Sequence, residues 1–218
     1  MAQLIPIPFL IVTALLLVRA ELREEQKQVY VFKPVSTLLV ILVALLSFSS
    51  PGVQPAYTLG ISLGLLLSFG GDVALMFESS KAFLIGLVLF LLGHLVYATV
   101  LTIPNGFHPQ DLITAIALLA IAVPLYRYLK PGLGSMKGPV IGYILVICFM
   151  VNRAASVFFG TAFTTTQARL TTLGAILFML SDIVLALNRF GHPLKKDKLS
   201  LLLYYSGQLL IALSPSYF

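Results

Sequence analysis

The sequence has little charge. Only 10% of its 218 residues are Asp, Glu, Lys or Arg, whereas 59% are hydrophobic. The mean hydropathy of +1.00 is far above what a surface in contact with water carries. The composition therefore excludes a water-soluble domain of this size and indicates a protein whose surface faces lipid.

Cysteine is almost absent as well. The one cysteine, Cys148, lies inside an apolar run, which excludes a disulfide framework and a metal site built on thiolates. We expect this residue to be inert packing, and we expect neither a metal nor another cofactor. A cleavable signal peptide is not expected either, because the first apolar stretch has no basic residue before it and no small-residue cleavage site after it.

The apolar runs are too long, and alternate too weakly, for the strands of a membrane barrel. The sequence therefore predicts an all-α, polytopic membrane bundle. Hydropathy and turn residues predict eight transmembrane helices in a single integral membrane domain over residues 1–218. The predicted spans are 4–19, 34–48, 57–77, 82–103, 110–128, 138–159, 168–188 and 199–215.

The net charge of +6 does not predict a nucleic-acid partner, because the basic residues are scattered over short connections. Twelve of the 14 lysines and arginines lie in the odd-numbered connections, so the positive-inside rule predicts that both termini lie outside. These twelve basic residues are Arg19, Arg23, Lys27, Lys33, Lys81, Arg127, Lys130, Lys137, Arg189, Lys195, Lys196 and Lys198.

The small size and short loops are typical of a bacterial inner membrane protein.

The two halves of the chain echo each other. Gly64 precedes Gly71-Asp72-Val73 as Gly174 precedes Ser181-Asp182-Ile183, at an offset of 110 residues. The echo continues with Gly93-His94-Leu95 and Gly207-Gln208-Leu209. The pattern predicts two four-helix repeats in parallel orientation, with halves 1–108 and 109–218, around a pseudo-twofold axis along the membrane normal.

Three charged residues lie well inside the predicted spans, each at a cost of about 3 kcal/mol on insertion scales. Asp72 and Asp182 lie about 8 Å and about 9 Å from the predicted cytoplasmic ends of their helices, which places both at one depth. Arg153 lies about 14 Å deeper, so we expect it to snorkel towards the outer headgroups. The two aspartates are the better candidates for function.

Small residues line the helix face that carries Asp72. Gly60, Gly64, Ser68 and Asp72 recur at i+4 spacing, which predicts that another helix approaches closely along this face.

Further polar residues reach the same layer of the bundle. Tyr204 and Gln208 share one helix face, as do His94 and Tyr97. His94 fits both a hydrogen-bonded helix clamp and a proton carrier, and the tyrosines also fit an interfacial aromatic belt. The supporting candidates are Lys33, His94, Tyr97, Asn188, Tyr204, Tyr205 and Gln208.

Several segments together resemble one known family. They are Lys33-Pro34, residues 71–76, residues 93–97, residues 181–186 with Asn188-Arg189-Phe190, and residues 204–211. They resemble the YhhN/TMEM86 family of eight-span lysoplasmalogenases from Lys33 to the C-terminus. The resemblance implies a lysophospholipid substrate in the bilayer. It also implies hydrolysis of a vinyl ether bond, which releases a fatty aldehyde and glycerophosphoethanolamine or glycerophosphocholine.

The acidic pair suits that chemistry. A vinyl ether is cleaved by protonating its β-carbon, and water then attacks the resulting oxocarbenium ion, so the site needs an acid and a base. Two carboxyl groups in a low-dielectric layer divide these roles, since one stays protonated while the other ionises. We therefore expect Asp72 and Asp182 to be catalytic and Lys33 to meet the phosphate.

Two other functions also fit the sequence. A duplicated bundle with buried acids and a histidine is compatible with a proton-coupled carrier of a small molecule or lipid, although no ladder of titratable groups leads outward. A non-catalytic lipid-binding scaffold, in which the polar groups only clamp helices, is the third candidate. The residues do not assign the acid and base roles between the two aspartates.

Overall fold

The computed structural model describes residues 2–192 and 198–218, and these ranges form eight long helices. All eight are long and apolar enough to cross a membrane, which confirms the predicted number of spans. Pro193, Lys195 and Lys196 of the seventh connection lie outside the described residues. The helices are α1 (Pro6–Leu22), α2 (Gln26–Leu46), α3 (Pro55–Ala74), α4 (Ser80–Asn105), α5 (Asp111–Leu129), α6 (Lys137–Ser156), α7 (Thr165–Phe190) and α8 (Leu199–Leu213).

Local sequence signals fix several helix ends. The hydroxyl of Ser79 accepts a hydrogen bond from the first turn of α4, and Thr164 forms a reciprocal capping box with Gln167 at the start of α7. Pro34 and Pro104 lie inside α2 and α4 without ending them. Membrane helices tolerate such prolines, because neighbouring groups satisfy the freed carbonyls. None of the eight described helices is split into half-helices.

Glycines bring two pairs of helices into close contact. A Cβ on Gly64 of α3 would lie 2.2 Å from the ring of Tyr97 on α4, so the close approach predicted along this face is observed. On α7 and α8, a Cβ on Gly174 would lie 2.8 Å from the carbonyl oxygen of Gly207. The glycines that echo each other in the sequence thus occupy the crossings of both pairs. The pseudo-twofold axis stays a prediction.

The packing of the helices divides the bundle into two neighbourhoods. Helices α2, α3 and α8 contact one another. They are connected to α6 by α4, which packs against α3, and by α7, which packs against α8. Helix α5 packs mainly against α6 and is the least buried of the later spans. Asp72 therefore faces α2 and α8, whereas Asp182 faces α4 and α6.

The structure corrects the expectation for Arg153. Its side chain is 1% exposed, and its guanidinium forms an ion pair with the carboxylate of Asp111 at the start of α5. It also donates a 3.0 Å hydrogen bond to the carbonyl of Gly106 and lies 4.4 Å from the centre of the Phe107 ring. Snorkelling was the wrong expectation, because a carboxylate at the very end of a predicted span supplies a partner within the protein.

Replacing Arg153 with Met is expected to lower the thermal unfolding midpoint of the purified protein in detergent. Breaking a buried ion pair costs about 3–5 kcal/mol, since the remaining carboxylate stays buried without its cation. Arg169→Met is the matched control, because Arg169 is exposed at the start of α7. Equal midpoints for the two variants would show that the Arg153 ion pair does not stabilise the bundle.

Candidate functional site

Asp72 lies near the end of α3 and is 3% exposed. Its Oδ2 accepts hydrogen bonds of 2.7 Å from the hydroxyl of Thr37 on α2 and of 2.7 Å from that of Tyr204 on α8. The ammonium group of Lys33, also on α2, lies 3.7 Å from Oδ1. Two hydroxyl donors and one ammonium group thus replace the hydration that a carboxylate loses on burial.

A chain of hydrogen bonds extends this network across the bundle. The hydroxyl of Tyr97 on α4 donates to Oε1 of Gln208 at 3.1 Å, and Nε2 of Gln208 donates to the hydroxyl of Tyr204 at 3.3 Å. The Tyr204 hydroxyl in turn donates to Asp72. Every bond in this chain is directed towards the Asp72 carboxylate, so Tyr97 and Gln208 fix the orientation of Tyr204.

Asp182 lies on α7 with 16% of its side chain exposed. Its Oδ2 accepts a 2.5 Å hydrogen bond from the hydroxyl of Tyr143 on α6. The Nε2 atom of His94 on α4 lies 3.9 Å from the same oxygen, which is longer than a hydrogen bond. Asp182 thus has fewer donors than Asp72 and is the more exposed of the two acids.

The orientation of His94 follows from its other ring nitrogen. Nδ1 lies 2.5 Å from the carbonyl oxygen of Phe90. A carbonyl only accepts, so Nδ1 carries a hydrogen, and in a neutral ring Nε2 is then an acceptor. Nε2 has no hydrogen-bond partner among the described residues and is directed at the Asp182 carboxyl group.

Aromatic rings pack between the hydrogen-bond networks of the two acids. The Phe178 ring lies 4.6 Å from the ring of His94 and 5.3 Å from that of Tyr204, measured between centroids. Phe90 packs against Phe178 and Tyr204 at 6.0 Å in each case. Within the described residues, Asp72 and Asp182 share no hydrogen bond. Phe178 thus packs between a ring of the Asp182 network, His94, and a ring of the Asp72 network, Tyr204.

The observed helix ends change the distance of each acid from the end of its helix. α3 ends at Ala74, two residues after Asp72, and α7 ends at Phe190, eight residues after Asp182. The helical rise places the acids about 3 Å and about 12 Å from these ends. These distances differ from those of about 8 Å and about 9 Å expected from predicted spans that end at residues 77 and 188, and the equal depth of the two acids in the membrane stays a prediction.

An apolar cleft lies between α4, α5, α6 and α7 and is called the apolar cleft below. It encloses about 820 Å³ of space between atoms, a volume that includes the open space at its mouth. Asp182 is the one charged side chain among the described residues that line it, and Tyr143 and Cys148 add a hydroxyl and a thiol. The walls include Leu87, Leu118, Ala122, Ile147 and Met179.

A second cavity adjoins the apolar cleft and is called the polar basin below. Three residues, Leu75, Phe83 and Leu185, line both cavities. The basin lies at the end of the bundle that carries the α3–α4 and α7–α8 connections. Its polar lining is Glu21, Lys33, Glu78, Asn188, Arg189, Lys198 and Ser200.

The structure divides the predicted site residues among these features. Tyr205 lies beside the Asp72 network, where its hydroxyl donates a 3.1 Å hydrogen bond to the backbone carbonyl of Lys33. Asn188 lines the polar basin. The Asp72 network contains Lys33, Tyr97, Tyr204 and Gln208, and the Asp182 network contains His94.

Sequence analysis missed three residues that contact these networks. Thr37 lies one helical turn after Lys33, so the i+4 spacing indicates a shared face. Tyr143 lies about 9 Å from the start of α6, a depth similar to that predicted for the acids. Phe178 carries no local signal, because one phenylalanine among many apolar residues does not reveal which polar groups it separates.

The fold and the site define a polytopic integral membrane protein with two buried carboxyl groups, one of them in the wall of an apolar cleft. Comparison with known proteins agrees with this class. The model of the YhhN family matches residues 28–215. This chain belongs to the YhhN family.

Relatives in mammals carry functional names. Lysoplasmalogenase TMEM86A of Bos taurus is 33% identical over 158 residues, which cover 71% of this chain and 64% of the relative. Human lysoplasmalogenase TMEM86A is 32% identical over 160 residues, with the same coverages of 71% and 64%. Human lysoplasmalogenase TMEM86B is 33% identical over 165 residues, or 72% of this chain and 64% of the relative. The chain thus spans slightly under two thirds of these relatives. No solved structure matches it.

Replacing Tyr97 with Phe is expected to lower the free energy of unfolding by about 1–3 kcal/mol, because the buried Gln208 amide oxygen loses its donor. Chemical denaturation in mixed micelles measures the change. Tyr30→Phe serves as the control, since Tyr30 is 45% exposed. If both variants unfolded at the same denaturant concentration, the hydrogen-bond chain to Asp72 would contribute nothing to stability.

Proposed function

We propose that this chain hydrolyses the vinyl ether bond of lysoplasmalogens, with Asp182 as the acid and Asp72 as the base. The observation that carries the proposal is the position of Asp182, the one charged side chain among the described residues that line a largely apolar cleft. A vinyl ether adjoins a hydrocarbon chain, so an acid that protonates it must operate beside an apolar surface. The names of the mammalian relatives support the same substrate class.

The first step transfers the proton of the Asp182 carboxyl group to the vinyl carbon farther from the ether oxygen. The carbon attached to that oxygen then carries the positive charge as an oxocarbenium ion. Asp182 is left as a carboxylate, to which the Tyr143 hydroxyl already donates a hydrogen bond. The ionised product of the proton transfer is thereby stabilised, and the negative charge next to the cation lowers the barrier.

Water attacks the oxocarbenium carbon in the second step, and Asp72 accepts the proton that this water loses. The product is a hemiacetal, which collapses to a fatty aldehyde and the free hydroxyl of the glycerophospho headgroup. One water molecule is consumed, and neither an oxidant nor a reductant is required. Lys33 and Leu75 support this role for Asp72: Lys33 forms an ion pair with it and lines the polar basin, while Leu75, one turn further on, lines both cavities.

The different surroundings of the two acids support this division of roles. Asp72 has two hydroxyl donors and an ammonium group, all of which favour the ionised carboxylate that a base requires. Asp182 has one hydroxyl donor and an apolar cleft beside it, which favour the neutral form that an acid requires. Oxocarbenium chemistry in glycosidases uses the same pair of functions.

Asp182→Asn and Asp72→Asn are each expected to reduce aldehyde release by about 100-fold or more, because general acid–base catalysis contributes at least that factor. The measurement is mass spectrometry of the lipids after incubating purified protein with a lysoplasmenyl lipid. Glu24→Asn is the control variant, since Glu24 is exposed in the α1–α2 connection. A saturated ether-linked lysophospholipid is the control substrate and should stay intact.

Near wild-type aldehyde release from both folded aspartate variants would overturn the catalytic assignment. Absence of aldehyde from the wild-type protein with every lysoplasmenyl lipid would overturn the hydrolase proposal. Substrate-driven proton flux across proteoliposomes containing that protein would then favour a carrier.

Tyr143→Phe is expected to lower kcat about tenfold or more while KM changes less than about twofold. A hydrogen bond to a charged group contributes about 1.5–3 kcal/mol, and this one acts on the carboxylate that forms during proton transfer. Steady-state kinetics with a lysoplasmenyl lipid separate the two constants. A rise in KM at constant kcat would contradict the proposed role and indicate that Tyr143 only shapes the cleft.

A further inference from the structure

The apolar cleft and the polar basin together have the layout of a single-chain phospholipid. The cleft lining on α5 runs from Leu118 to Leu129, and that on α7 runs from Met179 to Phe190. Each stretch of eleven helical steps is about 16 Å long. Because these helices are parallel, both stretches run from an apolar end at Leu118 and Met179 towards the end of the bundle that holds the basin.

The basin supplies charges of both signs. Lys33 is paired with Asp72, and Lys198 is paired with Glu21 at 3.1 Å. Arg189 differs, because no carboxylate within residues 2–192 and 198–218 lies at ion-pair distance from its guanidinium. Its guanidinium carbon lies 5.0 Å from the centre of the Phe83 ring. The Arg189 guanidinium, which has no carboxylate partner within the part of the chain that the structure describes, and the Glu78 carboxylate of the same basin complement a phosphate and an ammonium group.

Phe83 connects the two cavities. Its ring lines the apolar cleft and the polar basin alike, and Arg189 lies over its face. A phosphate bound by Arg189 is therefore next to the entrance of the cleft. Asp182 lies about 10 Å before Arg189 along α7, a separation that a glycerol backbone and its phosphate can bridge.

We propose that Arg189 binds the phosphate of a zwitterionic lysophospholipid in the polar basin, while the hydrocarbon chain of that lipid occupies the apolar cleft. This inference rests on the proposed function for the identity of the lipid. The structure itself contributes the arrangement, in which Arg189 and Phe83 mark the boundary between headgroup and chain. When the hydrocarbon chain of the lipid moves from the bilayer into the cleft, it exchanges one apolar environment for another. The cleft therefore selects the lipid by the shape of its chain, and the basin selects it by the charges of its headgroup.

Binding is tested with a saturated alkyl lysophosphocholine, which has no vinyl ether bond to cleave. Arg189→Met is expected to weaken its binding about tenfold, by loss of a charge-assisted contact. Ala122→Phe is expected to weaken it to a similar extent, because the new ring fills the cleft. Arg127→Met and Ala120→Phe are the matched controls: both positions are exposed on α5 and line neither cavity.

Cys148 supplies a second measurement that needs no substitution. It is the single cysteine of the chain, and it lines the cleft. We expect the alkyl lysophosphocholine to protect it from alkylation by N-ethylmaleimide, as read by protein mass spectrometry. Glycerophosphocholine, inorganic phosphate and a long-chain alcohol each supply only one part of the ligand and should protect it at least about tenfold less well.

Equal binding of the lysolipid by Ala122→Phe and Ala120→Phe, or equal protection of Cys148 by the alcohol and the lysolipid, would overturn the inference. Equal binding by Arg189→Met and Arg127→Met would overturn it for the headgroup. These readouts involve no turnover. Lysolipid binding that depends on Arg189 and Ala122 without aldehyde release would overturn the proposed hydrolysis alone. Aldehyde release with binding unchanged in both variants would overturn the present inference alone.

Discussion

A carboxyl group inside a bilayer has to obtain from the protein the partners that water would otherwise supply, and this requirement organises the bundle. Each of three acids meets it differently. Asp111 pairs with Arg153 and joins α5 to α6. Asp72 draws donors from α2 and α8, and Asp182 is held by Tyr143 next to His94. The pairings between helices therefore follow the positions of the acids as much as the apolar packing does.

The two acids also differ in their polar partners, and this difference suits them to different chemical roles. Two hydroxyl donors and an ammonium group keep Asp72 in a setting suited to negative charge, whereas the cleft beside Asp182 favours a neutral carboxyl group. Phe178 packs between a ring of each network, and within the described residues the two acids share no hydrogen bond. A substrate with a hydrocarbon chain in the cleft and a polar group in the basin would meet Asp182 in the cleft wall and Lys33, the ion-pair partner of Asp72, in the basin.

Much of this arrangement could be predicted from the sequence, because few residues inside the predicted spans are charged or strongly polar and therefore costly to place in a membrane. Asp72, Asp182 and His94 are conspicuous among apolar neighbours, and the i+4 spacing of Tyr204 and Gln208 predicts the hydrogen bond between them that extends the Asp72 network. The distance of each acid from the end of its helix was less predictable, because α3 ends three residues earlier than hydropathy indicated. The role of Arg153 was mistaken for a related reason: Asp111 lies at the edge of its span, where an acid looks solvated. Tyr143 and Phe178 depend on how helices are paired in space, which one sequence does not encode locally.

The most direct test of this account is to run the reaction in deuterium oxide and to reduce the released aldehyde at once, so that its hydrogens cannot exchange. If a carboxyl group of the protein protonates the vinyl carbon, the product carries a single deuterium on the carbon next to the former aldehyde carbon, and turnover slows relative to ordinary water. Product without deuterium at that carbon, or an unchanged rate, would contradict proton transfer to carbon as the step that the buried acids catalyse.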